Sequence, residues 1–448
     1  MPLIAPIGLK PGQPGPVSVD GVAEGYEAFA LVEAQREIAP KGPLLFVLRD
    51  GQRLPALRDA LAFAVPSLPV LELPAWDCLP YDRVSPGADA AARRLDAMAA
   101  MAALRKKPHP AIVLTTVNAL LQRMPPVAAV EAQVFSARPG NQVDMDTLIA
   151  RLADSGFERV STVREVGEYA VRGGILDLFV PGAPEPLRLD FFGDTLESIR
   201  AFDAATQRTT GQRSDVTLNA MSEVALTQDA ISRFRRNYIE AFGAPSRDDA
   251  LYAAVSEGRR FAGMEHWLPF FHERLDTVFD YLPDVPVVFD HLANEAASER
   301  HALILDHYEA RKRQSGTGMA DAVPYKPVPP ALLYLSPDEV KALAAERQSV
   351  QFSAFDLPDN NLRPVRHAGA HAGRSFAEER ADPNINIFDV AVSHIGELRG
   401  KKRVLVAGWS EGSLDRLSQI LAEHHLGGTK TVDSLAALEK LGSQEGGL

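Results

Sequence analysis

LRLDFFGD, residues 187–194, alternates apolar and polar side chains. In a strand, successive side chains take opposite faces, so Leu187, Leu189 and Phe191 share one face and Arg188 and Asp190 the other. Phe192 breaks the pattern by falling on the polar face beside Arg188. The same strand-like character runs through FERVSTV, AVRGGILDLFV, PLRLDFF and TLESIRAFD between residues 157 and 208. Short turn clusters, VPGAPEP and GD, join these runs, which predicts an antiparallel meander. A phenylalanine on the wet face is either a local packing accident or the centre of a docking surface.

Outside the meander the pattern changes. LLFVL (44–48), VLELP (70–74) and AIVLTT (111–116) are short apolar runs of the buried-strand type. Helical stretches near 54–63 and 89–104 alternate with them, which argues for a parallel sheet. Pro125-Pro126 closes this part. Beyond the meander come helical patterns at 228–242 and 293–314, with a further strand, PVVFD, at 286–290. The meander therefore reads as an insertion, and LLFVL and PVVFD are expected in one sheet. Two tracts, 315–330 and 356–386, lack any period and read as linkers. A last strand-helix unit follows, KRVLVAG then SEGSLDRLSQILAEHH. The expected division is an α/β domain in two parts (1–130 and 214–352), an inserted β-rich domain (131–213), a linker (353–385) and a small α/β unit (386–448).

A chain of 448 residues is long enough for several domains. Apolar residues at 46% and charged residues at 24% describe a globular protein. The net charge of −12 disfavours broad contact with a phosphate backbone, where affinity comes from Lys and Arg releasing counterions. Between 157 and 208 six arginines face nine carboxylates, which suits a protein partner better than DNA. Cys78 is the only cysteine, so an internal disulfide and a thiolate zinc cluster are both excluded. The start, MPLIAPIGLKPG, has no basic region followed by an apolar run, and no window has the apolar length of a membrane helix. A reducing cytoplasm is the expected location.

No strong catalytic signature stands out. HAGAH (367–371) has ligand-like spacing, but it lies in a glycine-rich tract without a carboxylate motif, so solvated linker is the better reading. His424-His425 suits a helix C-terminus. Arg105-Lys106-Lys107 reads as another helix end. The glycine-bearing stretch GVAEGYEA (21–28) precedes a helical run, as a P-loop does. A working loop, G-x-x-x-x-G-K-[ST], cradles phosphate on backbone amides, neutralises it with lysine and sets a hydroxyl on magnesium. Counting from Gly21, this chain offers Tyr26, Glu27 and Ala28 at the corresponding places. Glutamate repels phosphate and alanine cannot hold the metal, so a nucleotide-binding fold here would be a degenerate copy.

LPAWDCLPYDRVSP (73–86) resembles a signature of the bacterial transcription-repair coupling factors (the Mfd family). The stretch EVGEYAVRGGILDLFVPGAPEPLRLDFFGDTLESIRAFDAATQRT (165–209) resembles one that this family shares with the repair helicase UvrB, and FAGMEHWLPFF (261–271) a third. The resemblance runs over roughly residues 20 to 290. It implies a degenerate RecA-like, P-loop NTPase-like domain interrupted by a small antiparallel β-rich domain, with a small α/β domain after it. It further implies that the β domain docks onto UvrA, the damage-recognition ATPase, through Arg172, Arg188 and Phe192. Phe192 then faces outward because a partner covers it. Full-length family members carry an RNA-polymerase-binding domain and an ATP-driven DNA translocase, using ATP and magnesium. The sequence shows no such parts and is expected to be an N-terminal fragment or truncated product without a cofactor of its own.

The leading expectation is thus a non-catalytic adaptor that recruits UvrA. The competing classes are a UvrB-like DNA-dependent ATPase or helicase, opposed by Tyr26, Glu27 and Ala28, and a DNA-binding module using Arg233, Arg235 and Arg236. A local alternative for the strand itself makes Arg188 and Asp190 mere cross-strand partners.

Overall fold

The computed structural model describes residues 4–13, 15–316, 325–358, 364–399, 401–408, 410–441 and 446–447. Parts of the tracts at 315–330 and 356–386 and of the final tail lie outside the described residues. The first third of the chain alternates strand and helix: β1 (Pro16–Asp20), α1 (Glu27–Ile38), β2 (Pro43–Leu48), α2 (Leu54–Ala64), β3 (Val70–Leu73), α3 (Ala88–Lys106) and β4 (Ala111–Thr116). Every residue of β2 and β4 is buried, as expected of strands covered on both faces.

A second unit then intervenes. It contains β5 (Phe135–Ala137), β6 (Glu158–Arg159), β7 (Glu168–Arg172), β8 (Ile175–Leu178), β9 (Leu187–Phe192), β10 (Thr195–Phe202), β11 (Thr209–Gln212) and β12 (Val216–Leu218). After it the chain returns with β13 (Val287–Phe289), β14 (Ser349–Phe352) and β15 (Val365–His367). These join the first four strands in one seven-stranded parallel sheet, ordered β15-β1-β14-β13-β2-β4-β3. LLFVL and PVVFD are direct neighbours in it, with Leu45 opposite Val287.

Alternation along β2 divides the core in two. Leu45 and Val47 enter a cluster with Val113, Val287 and Phe289, while Leu44, Phe46 and Leu48 enter another with Ile112, Val288 and Phe352. The six-stranded sheet of the second unit runs β11-β10-β9-β8-β7-β6, antiparallel except at β6–β7. Its apolar face packs Leu176, Leu189 and Ile199 against Leu148 and Leu152 of the helix Met145–Asp154. Val163, Ala170 and Phe202 form a small cluster of their own.

Three sequence expectations change. FERVSTV yields only the two-residue strand β6, and Val163 beyond it is buried against Ala170 and Phe202 instead of extending a ladder. Residues 365–370, read as linker, are built into the large sheet: Ser18 and Val19 pair with Val365 and Arg366, and Ala370 N donates to Gly21 O. KRVLVAG forms no strand among the described residues. Val406 there packs as a loop against the helices Ile387–Arg399 and Glu411–Glu423. No helix among the described residues is long and apolar enough to cross a membrane.

Candidate docking face and glycine loop

Cross-strand partners in an antiparallel sheet point to the same side. Arg172, Ile175, Asp190 and Ser198 are successive partners across β7–β10 and form one row. Asp177, Arg188, Arg200 and Gln212 form the next row, and Phe192 lies opposite Thr195 on the other flank. Arg172, Arg188 and Phe192 therefore project from one face, opposite the leucine core. Gly173 (φ +59°) and Gly174 make a tight two-residue turn without a register shift between β7 and β8. A Cβ on Gly174 would sit 2.7 Å from Phe191 O, so the turn needs glycine there.

The three residues differ sharply in their surroundings. Phe192 is 76% exposed. The Arg188 side chain is only 16% exposed, and its guanidinium donates two bonds, of 2.7 and 2.8 Å, to the buried Asp177 carboxylate. It also lies 4.8 Å over the Phe202 ring. Those bonds to Asp177 raise the Arg188 pKa further. Asp190 is held instead by Arg200, at 2.8 and 2.9 Å, and by Ser198. Burial opposes ionisation of Asp190, but these bonds prevail and hold its carboxyl below the ordinary value. Arg188 and Asp190 thus each make a bidentate cross-strand pair, Arg188 with Asp177 and Asp190 with Arg200, as the local alternative for this strand expected. Arg172 is exposed, and its Nη2 donates to two neutral oxygens, Ser161 O at 2.7 Å and Thr162 Oγ1 at 3.2 Å.

The glycine loop has the opposite character. It links β1 to α1 through Gly21 (φ +62°) and Gly25 (φ +89°), with Tyr26 as N-cap. Glu27, on the first turn, is buried and accepts from Gly25 N at 2.7 Å. Its carboxylate pairs with Arg53 at the start of α2, and Arg53 reaches Asp290, at the end of β13, at 3.5 Å. Burial raises the Asp290 carboxyl against the pull of Arg53. A cavity of about 240 Å³ lies beside this bridge, walled by Ala28, Phe46, Leu48 and Leu57. On the other side Asp20 contacts His367 and accepts from Leu357 N, while Ala370 O would lie 3.2 Å from a Cβ on Gly21. HAGAH is thus packed on the loop, and no cluster of three or more potential metal-binding side chains occurs among the described residues.

The remaining sequence candidates are engaged locally. Arg233 contacts Phe271 O and Glu273, Arg235 contacts the Tyr252 hydroxyl, and Arg236 is exposed. Arg105 donates to Asp280 O, Lys106 pairs with Glu131, and His424 caps its helix while meeting Asp389 at 2.6 Å. Burial pushes the Cys78 thiol up to about 12. LPAWDCLPYDRVSP turns out to be a packing element: Trp76 Nε1 donates to Glu223 Oε1 at 2.7 Å, and Arg94 bonds the same oxygen at 2.8 Å. Arg94 and Glu223 are fully buried where the chain re-enters the α/β body after β12. Sequence reasoning missed this pair and Arg53 because their partners come from other elements of the chain, and missed Asp177 because alternation assigns a face without giving the register of the next strand.

Residues 135–223 match the family model described as the UvrB interaction domain. The transcription-repair-coupling factor of Haemophilus influenzae is 30% identical over 437 residues, covering 96% of this chain and 36% of that protein. That of Escherichia coli K12 is 31% identical over 72% of this chain, and that of Myxococcus xanthus 34% over 77%. The chain spans about a third of the length of these curated relatives. Over most of its length, then, this chain is a relative of the transcription-repair-coupling factors, consistent with the N-terminal region of that family.

Proposed function

We propose that the chain is the UvrA-recruiting module of a transcription-repair coupling factor, a non-catalytic adaptor in transcription-coupled nucleotide excision repair in the cytoplasm. The observation that carries this reading is Phe192: a large ring 76% exposed, in the middle of the segment matched by the UvrB interaction domain. Aromatic anchors surrounded by polar side chains carry most of the energy in such interfaces. Arg172 and Arg188 complete the face in this reading. The α/β body, formed by 1–130 with 214–352 and closed by β15, acts as a degenerate RecA-like support, and 386–448 as a small appended domain. Support for that fold comes from a glycine loop after the first strand and an acid, Asp290, at the end of the buried strand β13, which is separated from β1 by β14 alone. RNA polymerase, DNA, ATP and magnesium are then the business of other parts of a coupling factor.

The direct test is retention of purified UvrA by the immobilised chain, with Phe192→Ala as the control that loses it. Failure of the unaltered chain to retain UvrA overturns the proposal. The ATPase alternative is opposed by Glu27, which stands where phosphate requires a positive charge; the Coulomb term of a single unit-charge pair there is about 4 kcal/mol at close range. Calorimetry is expected to register no micromolar ATP binding, and such binding would revive the enzyme reading.

A further inference from the structure

β11 (Thr209–Gln212) is the terminal strand of the six-stranded sheet, and all residues from Arg208 to Asp215 are exposed. An edge strand presents unpaired backbone groups that can take another strand. Arg213 N donates inward to Ile199 O, and because amides alternate along a strand, Gln212 N–H points outward. The exposed run 208–215 holds two arginines against one carboxylate, Asp215, a local balance of +1 in a chain that carries −12 as a whole. Arg213 is met only at 3.4 Å by Glu185, with both side chains substantially exposed. The charge at this edge therefore differs in sign from that of the molecule behind it.

We infer that β11 is a second docking site, which adds an extended acidic segment of a partner protein as a seventh strand. Main-chain bonds would supply affinity and the flanking Arg208 and Arg213 the selection for carboxylates. A second copy of this chain fits poorly. Antiparallel pairing of two β11 strands centred between Thr210 and Gly211 sets Arg208 of each copy against Arg213 of the other, and like charges directly opposite are destabilising. The site lies two strands away from Phe192 and does not depend on the UvrA reading.

The test uses the full chain and a fluorescent peptide of about eight residues alternating glutamate and valine, compared with its lysine-valine counterpart. The acidic peptide is expected to raise anisotropy on binding and to slow hydrogen exchange at 209–213, while the lysine peptide does neither. Gln212→Pro removes an outward donor at an edge position that tolerates proline, and should abolish binding. Arg208→Glu with Arg213→Glu should weaken the acidic peptide at least about tenfold and leave UvrA retention through Phe192 unchanged. Equal binding of both peptides, binding indifferent to the charge reversal, or slow exchange at 209–213 through self-association without peptide each overturns the proposal, as does no binding at millimolar peptide. If Gln212→Pro fails to fold, the charge-reversed variant still decides.

Discussion

The glycine loop and the candidate docking face both carry arginine and carboxylate side chains, yet they distribute charge in opposite ways. At the loop, Glu27 and Asp290 are buried and share Arg53, so the charges are spent on one another. On the candidate docking face, Arg188 and Arg200 are likewise spent on Asp177 and Asp190, but Phe192 stands 76% exposed and Arg172 donates, among the described residues, to neutral oxygens. The difference separates a cluster whose charges are paired with one another from a face that leaves an aromatic ring and a guanidinium exposed. A buried ion pair is poor evidence of net stabilisation, but removing one partner strands the other. An exposed ring leaves no such debt. The same substitution to alanine should therefore damage folding in one region and binding in the other.

Arg53→Ala should give the largest effect. It strands two buried carboxylates at the glycine loop, and a loss of about 3–5 kcal/mol in unfolding free energy is expected. Burial already raises the Asp290 carboxyl in the folded state. A carboxyl with a raised folded pKa binds more protons folded than unfolded, so its penalty is fully present above that pKa and fades as pH falls through it. Without Arg53 the raise is greater. The deficit of the variant, measured by urea unfolding, should be full at neutral pH and shrink toward acid. A deficit that grew on acidification would show that the loop is not held by these charges.

Much of this was legible in the chain. The apolar runs at 44–48, 111–116 and 286–290 located buried strands, because continuous apolar sequence has one common use in an α/β protein. The alternation of 187–192 placed Phe192 outside for the same elementary reason. The sequence also put Glu27 where a phosphate-binding loop would carry lysine, but it could not show what Glu27 does, since Arg53 and Asp290 arrive from elsewhere in the chain. Arg188 was misjudged for a related reason. Alternation assigns a face, and does not report that Asp177 on the next strand and the Phe202 ring enclose the side chain. The strap at 365–370 was invisible because a three-residue edge strand has no period to detect.

Arg188→Ala comes next in size. Contrary to a simple surface reading, it should destabilise the β unit by about 3 kcal/mol by stranding Asp177, and so lower UvrA affinity indirectly. Replacing both partners, Arg188→Leu with Asp177→Leu, should recover part of that stability, which a direct measurement of thermal unfolding would register. Phe192→Ala should do the reverse. Stability should change by less than about 0.5 kcal/mol, while UvrA affinity falls by about 2 kcal/mol, on the order of thirtyfold. Equal losses of stability for the two variants would erase the distinction between the paired and exposed parts of the face.

Arg172→Ala should give the smallest effect and the most specific signature. Its guanidinium is exposed and ties the 161–162 segment to the β7–β8 hairpin by neutral bonds, each worth about 1 kcal/mol or less at an exposed site. Its charge is free to meet a carboxylate of a partner. An exposed pair of that kind contributes about 0.2–1 kcal/mol, so affinity should fall no more than about fivefold. The distinguishing readout is salt. Screening acts on exposed charges and hardly on a buried ring, so the unaltered chain should lose UvrA affinity as salt rises, and Arg172→Ala should flatten that slope. Phe192→Ala should leave the slope intact while lowering the whole curve. Arg172→Lys keeps the charge without the forked donors and should restore most of the slope. An Arg172→Ala variant as weak as Phe192→Ala, with an unchanged salt dependence, would mean that Arg172 is buried by the partner as an anchor of equal weight.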